Sequence, residues 1–268
     1  MICLTIDCEQ WNVPELRGKE DPSNGNTLYS LEGNKKLLKI LNKHKVRATF
    51  FVTGVFAEQN KEHVKELSKE HEIACHGYNH FYRGNPNLNL KGDISKSKKI
   101  LEKITKRKIL GFRSPQFQFS KGLIKVLEEL NFKYDSSIHS AYLPGFYNHK
   151  DKPLTPFKIG KILEIPASAR PGSRLPFSWI FIRNLPLIYS VGAVRKLLKL
   201  GIIPVIYVHP WEFYEIKNKN VPFYITRNTG ARFCKKFDRF LSKFKDERFV
   251  TMEEIYKSTK LRVSNEVS

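Results

Sequence analysis

Ile2-Cys3-Leu4-Thr5-Ile6-Asp7-Cys8-Glu9 opens the chain as an apolar run that ends on two carboxylates. Ile2, Leu4 and Ile6 lead straight into the pair, which reads as a first strand closing on polar groups. In extended chain, residues two apart point to the same side, so Asp7 and Glu9 face together. Two free carboxylates in that position repel, and either a divalent cation or an arginine would compensate. The segment has no basic stretch and no long apolar stretch, so it does not read as a signal peptide.

Further strand-like runs follow at 47–53, 72–76, 109–113, 132–136, 162–166 and 203–209. Helix-like segments fall at 33–44, 61–71, 91–106, 120–130, 190–200 and 231–244, with a short strand at 248–251 and a helix at 252–258. Ser120 reads as an N-cap, with Leu123, Leu127 and Leu130 on one face behind it. Strand–helix–strand alternation implies parallel strands joined by crossover helices. About seven strands in this length predict an α/β fold, a distorted parallel (β/α) barrel. One catalytic domain is expected over residues 1–258, then a polar tail over 259–268. Residues 140–160 and 167–190 are rich in Pro, Gly and aromatics and read as long functional loops.

The chain has 268 residues, of which 41% are hydrophobic, which excludes a disordered chain. Its formal net charge is +21, which favours anionic partners. Nucleic acid, anionic lipid headgroups and phosphate-linked glycans would all answer to that charge. No nucleic-acid motif is present, so no specific nucleic acid is expected. Apolar runs are too short to span a bilayer. Cys3, Cys8, Cys75 and Cys234 form no CxxC pair and are expected as small core residues in a reducing compartment. A cytoplasmic protein is expected, able to touch the inner face of an anionic membrane.

The chemically able residues gather at strand ends. Asp7 and Glu9 close the first strand, His76 and His80 the third, Arg113 the fourth, Asp135 the fifth and His209 the seventh. The carboxyl ends of barrel strands form one rim, where chemistry sits. His76-Gly-Tyr-Asn-His80 can bring two imidazoles together, and two histidines with one carboxylate make a catalytic zinc set with an open position. Arg113 could pair with Asp7. Asp135 and His209 form a possible acid pair. Trp211, in His209-Pro-Trp-Glu-Phe, suits a sugar ring or an apolar wall.

At these residues the chain resembles the polysaccharide deacetylases, carbohydrate esterases of family 4 with a NodB-like domain. The likeness runs in order over about residues 1–255. Leu4-Thr-Ile-Asp-Cys-Glu9 resembles the family's TFDDG motif, and Ala48-Thr-Phe-Phe-Val52 its second strand. His76-Gly-Tyr-Asn-His80 resembles H-[ST]-x-x-H, and Gly111-Phe-Arg-Ser-Pro115 resembles R-x-P. Tyr134-Asp-Ser-Ser137 and Val208-His-Pro210 resemble the last two motifs. The resemblance implies a metal-bound water with Asp7 as base and a metal, most simply Zn2+, on Glu9, His76 and His80. Glu9 replaces the usual ligand aspartate because Cys8 stands in its place, as in a branch with a D-x-E first motif. The resemblance further implies that Arg113 orients Asp7 and that His209 is the general acid, tuned by Asp135. The backbone N–H of Gln116 would face the oxyanion. The expected reaction is N-deacetylation of an amino sugar in a glycan or precursor, nucleotide- or lipid-linked. Hydrolysis of a cyclic amide or imide and a non-catalytic metal- or glycan-binding role are the alternatives. The aromatic loop 177–182 is expected as a groove lid or core ahead of a lipid contact.

Overall fold

The computed structural model describes residues 1–19, 27–144 and 147–265. The first half contains β1 (Ile2–Cys8), α1 (Leu28–Lys43), β2 (Thr49–Val52), α2 (Gly54–Gln59), α3 (Lys61–Glu70) and β3 (Glu72–Cys75). It continues through α4 (Leu90–Thr105), β4 (Gly111–Phe112), α5 (Lys121–Glu129) and β5 (Tyr134–Asp135). Then come β6 (Tyr142–Leu143), β7 (Tyr147–Asn148), β8 (Phe157–Ile159), β9 (Ile162–Glu164), α6 (Ile180–Asn184) and α7 (Leu187–Lys199). The last part is β10 (Val205–Val208), α8 (Phe223–Thr226), α9 (Ala231–Ser242), β11 (Phe249–Val250) and α10 (Met252–Asn265).

All seven expected main strands are present, and six are shorter than their apolar runs. The expected helices are there too. α1 starts five residues before the expected Gly33, and α10 runs through much of the expected tail. Residues 266–268 of that tail lie outside the described residues.

The main sheet runs β10-β1-β2-β3-β4-β5-β9-β8, with β11 added beside the start of β1. Its pairings are parallel except β8 with β9. The gap between β9 and β10 is bridged by irregular chain. Ser168 N–H donates to Val205 O at 3.0 Å, and Val205 N–H to Ser168 Oγ at 2.9 Å. The sheet therefore curls into the expected distorted barrel.

Strand alternation sorts side chains into two cores. Ile2, Leu4 and Ile6 of β1 join Phe50, Val52, Ile73, Phe112, Ile206 and Val208 in the layer under the helices. Their neighbours Cys3, Phe51, Ala74, Tyr134, Leu163 and Val205 fill the barrel interior. Met252 and Ile255 of α10 close its amino-terminal end. There the half-buried Glu72 accepts Thr49 Oγ1 at 2.7 Å, Tyr134 Oη at 2.6 Å and the Glu253 N–H of α10 at 3.0 Å. Burial raises the Glu72 carboxyl, partly offset by those donors. With that end plugged, the carboxyl ends of the strands carry the chemistry.

Candidate active site

On β1 the inward positions are Cys3, Thr5, Asp7 and, just past the strand, Glu9. Cys8 points the other way, where Asn34 Nδ2 of α1 donates to its Sγ at 3.1 Å. Burial pushes the Cys8 thiol far up, so it stays a neutral core group. The same inward alternation delivers His76 after β3, Arg113 after β4 and His209 after β10.

Glu9, His76 and His80 form a buried cluster whose possible ligand atoms all lie within 4.8 Å of one another. His80 Nε2 is 2.7 Å from Glu9 Oε2, and His76 Nε2 is 3.4 Å from it. Each ring is held from behind. His76 Nδ1 donates to Arg113 O at 2.7 Å, and His80 Nδ1 to Asn12 Oδ1 at 2.9 Å. Those oxygens only accept, so each Nδ1 carries its hydrogen and each Nε2 is left to the carboxylate, reaching it through a proton or, with a cation between them, offering a lone pair. Glu9 Oε2 is buried with no hydrogen-bond partner. Two imidazole nitrogens converging on an orphaned carboxylate oxygen make a three-donor set that fits a divalent cation. Burial would raise the Glu9 carboxyl, but positive charge on His80 and His209 and donors from His76 and His80 hold it well below the usual range. A cation in place of those protons acts in the same direction.

The loop carrying both histidines is set by local chemistry. Gly77 has φ +71°, and a Cβ there would meet Tyr82 Oη at 2.5 Å. Asp93, in the first turn of α4, accepts Tyr78 N–H at 2.8 Å, Asn79 N–H at 3.2 Å and Tyr82 Oη at 2.5 Å.

Asp7 sits apart from the cluster, on Arg113. Arg113 Nη1 donates to Asp7 Oδ1 at 2.6 Å and to Thr5 Oγ1 at 2.8 Å. Its Nε and Nη2 bond Ser136 O and Oγ at 3.2 and 2.9 Å. Fully buried and bonded on every arm, Arg113 fixes the carboxylate in place.

Two expectations need correction. Asp135 does not tune His209. Tyr134 takes the inward position on β5, so Asp135 points to the outer face, where its Oδ1 accepts Ser137 Oγ at 2.6 Å and Ser136 N–H at 2.9 Å. It faces Glu164, the outward residue at the end of β9. Burial raises Asp135 to about 6, and burial with repulsion from Asp135 raises Glu164 well above the usual range. The carboxylate on His209 is Glu212, whose Oε1 accepts His209 N–H at 2.9 Å and lies 3.3 Å from His209 Nδ1. Burial lowers His209, but Glu9, Glu212 and Asp7 outweigh it and raise its pKa. Arg183 Nη1 of α6 bonds the other oxygen of Glu212 and neutralises it.

Trp211 is not an open wall for a sugar. It is 1% exposed, its indole N–H donates to Glu9 Oε1 at 3.2 Å, and its ring stacks on His209 at 5.1 Å. Gln116 follows Pro115 in a left-handed turn, with φ 57°. Its side-chain Oε1 accepts Arg83 N–H at 3.0 Å.

Glu212, Asn12, Arg183 and Glu164 were missed as functional or supporting residues. Glu212 had a signal, a glutamate three residues past His209-Pro that can cap that turn. Glu164 had one too, a charge inside the apolar run Ile162-Leu-Glu-Ile165. Asn12 and Arg183 had none, since their partners are remote in sequence. The loop at 177–182 is largely core, with Phe177 and Ile182 fully buried, in line with the lid-or-core expectation.

The curled parallel sheet with this polar rim defines the fold class of the NodB-like deacetylases. Residues 27–134 match the family model for polysaccharide deacetylase, and residues 136–257 match a domain of unknown function (DUF3473). Over residues 27–134 the chain thus resembles the polysaccharide deacetylases. It is 35% identical over 100 residues to a peptidoglycan-N-acetylglucosamine deacetylase of Bacillus cereus, a match covering 37% of this chain and 46% of that one. It is 24% identical over 242 residues to a peptidoglycan deacetylase of Helicobacter pylori, covering 83% of this chain and 82% of that one. A polysaccharide deacetylase structure from Mycobacterium smegmatis superposes with TM-score 0.65 at 19% identity over 97% of this chain and 90% of that one. The structure of Puue allantoinase superposes with TM-score 0.68 at 16% identity over 96% and 88%. These two structural likenesses are likenesses of fold.

Proposed function

We propose that this protein is a metal-dependent hydrolase that removes an N-acetyl group from an amino sugar in a glycan or glycan precursor. One observation carries the reading. Two successive inward carboxylates of β1 have different partners, Glu9 among imidazoles and Asp7 on a guanidinium. That is a ligand beside a base. The peptidoglycan deacetylases among its relatives support an acetylated sugar as substrate.

Glu9, His76 and His80 would hold one divalent ion, Zn2+ by the chemistry of the donor set. Bound there, such an ion supplies Lewis acidity toward the acyl carbonyl. The chain's own groups do the rest. Asp7, held through Oδ1 by Arg113, takes a proton from the attacking water, whose oxygen adds to the carbonyl carbon. The Gln116 N–H serves the developing oxyanion. His209, oriented by Glu212, gives its proton to the amide nitrogen as the C–N bond breaks, leaving acetate and a free amine. The basic surface suits a nucleotide- or lipid-linked precursor. The four free cysteines suit a reducing compartment. Hydrolysis of a cyclic amide would use the same groups and draws on the fold likeness to allantoinase.

The test is acetate release from a panel of N-acetylated sugar nucleotides, lipid-linked amino sugars and peptidoglycan fragments, beside a set of cyclic imides. Asp7→Asn should lower turnover by about 10²–10⁴-fold while about one metal ion per chain remains. Glu9→Ala and His80→Ala should lose the ion. Undiminished acetate release by Asp7→Asn would remove Asp7 as base. Ring opening of imides without acetate release would establish the second reading.

A further inference from the structure

Charge is unevenly spread along the chain. Between Glu164 and Glu212 there is no aspartate or glutamate, while six lysines and arginines occur there. This stretch forms α6, α7 and β10, the part of the fold that leads into His209.

α7 is amphipathic, with an unusual outer face. Ser190, Val191, Ala193, Val194 and Leu197 are buried against the protein. The opposite stripe carries Ile188, 80% exposed, then Gly192, Arg195, Lys196 and Lys199, and ends at Leu200, 56% exposed. An apolar residue at each end of a basic stripe, with no acidic side chain, differs from an ordinary solvated face. It is the pattern of a helix lying on an anionic interface.

A second exposed apolar group is carried on α8, which is docked on the preceding helix, α6. Asn184 Nδ2 of α6 donates to Tyr224 O of α8 at 2.8 Å, and Arg183 Nη2 to Ile225 O at 2.5 Å. α8 is thereby fastened to α6, and its Phe223 is 71% exposed. Ile188 lies four residues beyond Asn184, and Phe223 is next to Tyr224. The chain's reach limits the separation of their Cα atoms to about 27 Å. The surface adjoins the site, because Trp179, which immediately precedes α6, packs its ring on His209 at 5.4 Å.

We propose that the outer face of α7, with Phe223 of α8, is a docking surface for an anionic phospholipid bilayer. Ile188 and Phe223 enter the headgroup region, Arg195, Lys196 and Lys199 meet lipid phosphates, and the rim at His209 comes to lie near the membrane. Among the described residues no helix is long and apolar enough to cross a membrane, so the contact is peripheral. The placement deepens the reading of a lipid-linked substrate and rests on it for its purpose. The assay needs no substrate, so the two can fail separately.

The test is co-sedimentation of the full chain with vesicles of phosphatidylcholine alone and of equal parts phosphatidylcholine and phosphatidylglycerol. The protein should sediment only with the anionic vesicles. Ile188→Ser with Phe223→Ser should weaken that binding on the order of tenfold or more with an unchanged melting temperature, since both side chains are exposed. Arg195→Glu with Lys199→Glu should abolish it. Lys99→Glu with Lys103→Glu, on the exposed face of α4, should reduce it far less. Failure of the unaltered protein to sediment overturns the proposal. So does equal binding by the serine variant, which would mean electrostatic adsorption alone. An equal loss from the α4 pair would assign the effect to net charge and overturn the surface.

Discussion

Asp7 and Glu9 are alike in chemistry and sit two residues apart, yet their neighbours make them different groups. Arg113 saturates one oxygen of Asp7, whereas Trp211 and two imidazoles divide Glu9. The Trp211 indole donates to Glu9 Oε1 and holds the carboxylate with its other oxygen, Oε2, toward His76 and His80. Trp211→Phe keeps the ring and removes that donor, and it should weaken Zn2+ affinity by about 10–100-fold in competition with a chelating dye. Trp11→Phe, which changes the ring packed on Trp211 at 4.7 Å, should leave affinity nearly unchanged. Glu212→Gln keeps the acceptor for His209 N–H but leaves buried Arg183 without its charge partner. It should lower turnover and also destabilise the fold by about 3–5 kcal/mol, whereas Glu212→Gln combined with Arg183→Met should recover most of the stability. Denaturant midpoints and acetate release, measured side by side, separate the two effects.

At the scale of elements, the long loop between β3 and α4 decides whether the histidines meet. Asp93 collects three donors from that loop, and Gly77 supplies the backbone conformation it needs. Asp93→Ala removes the acceptor of two loop N–H groups and leaves the buried Tyr82 phenol without it, at a cost of about 1–3 kcal/mol. It should lower the melting temperature and weaken metal binding together, although Asp93 touches neither histidine. Asp93→Asn should recover part of both. The contact of α1 with the turn after β10 is similarly specific. A Cβ on Gly33 would meet Pro210 O at 1.8 Å, so Gly33→Ala should move the Trp211 turn and reduce metal affinity. These links were hidden in the sequence because α1 and Pro210 are remote along the chain.

For the whole molecule, the outer-face pair Asp135 and Glu164 couples stability to pH. Both carboxyls are raised above their unfolded values, Asp135 to about 6, by burial first and then, for Glu164, by mutual repulsion. Their contribution is fully present below the unfolded pKa values and is lost as pH rises through the raised ones. Thermal stability should therefore carry a component that begins to decline above about pH 4, and is lost for Asp135 through about pH 6 and for Glu164 at higher pH. Glu164→Gln imitates the protonated pair, since its amide can donate to Asp135 while its oxygen still accepts Ile138 N–H, at 2.9 Å in the native chain. Melting temperatures from about pH 5 to pH 8 should show a smaller decline for this variant. A decline equal to that of the native chain would place the proton elsewhere.

The sequence by itself determined the barrel, its main strands and the polar residues at their carboxyl ends. Apolar periodicity is a local property, and strand ends in a parallel sheet share one rim. The candidate ligand trio was legible for the same reason, since Glu9, His76 and His80 all lie at or just beyond strand ends. Only the tertiary structure decided the partners. It turned Asp135 outward to Glu164, gave His209 to Glu212, and placed the Trp211 indole on Glu9. Strand alternation already put Tyr134 and Asp135 on opposite faces, but which face was interior followed from how the whole sheet curls. Partner choice across strands depends on that curvature and on the long loops that carry Trp179 and Arg183, which have no period to read.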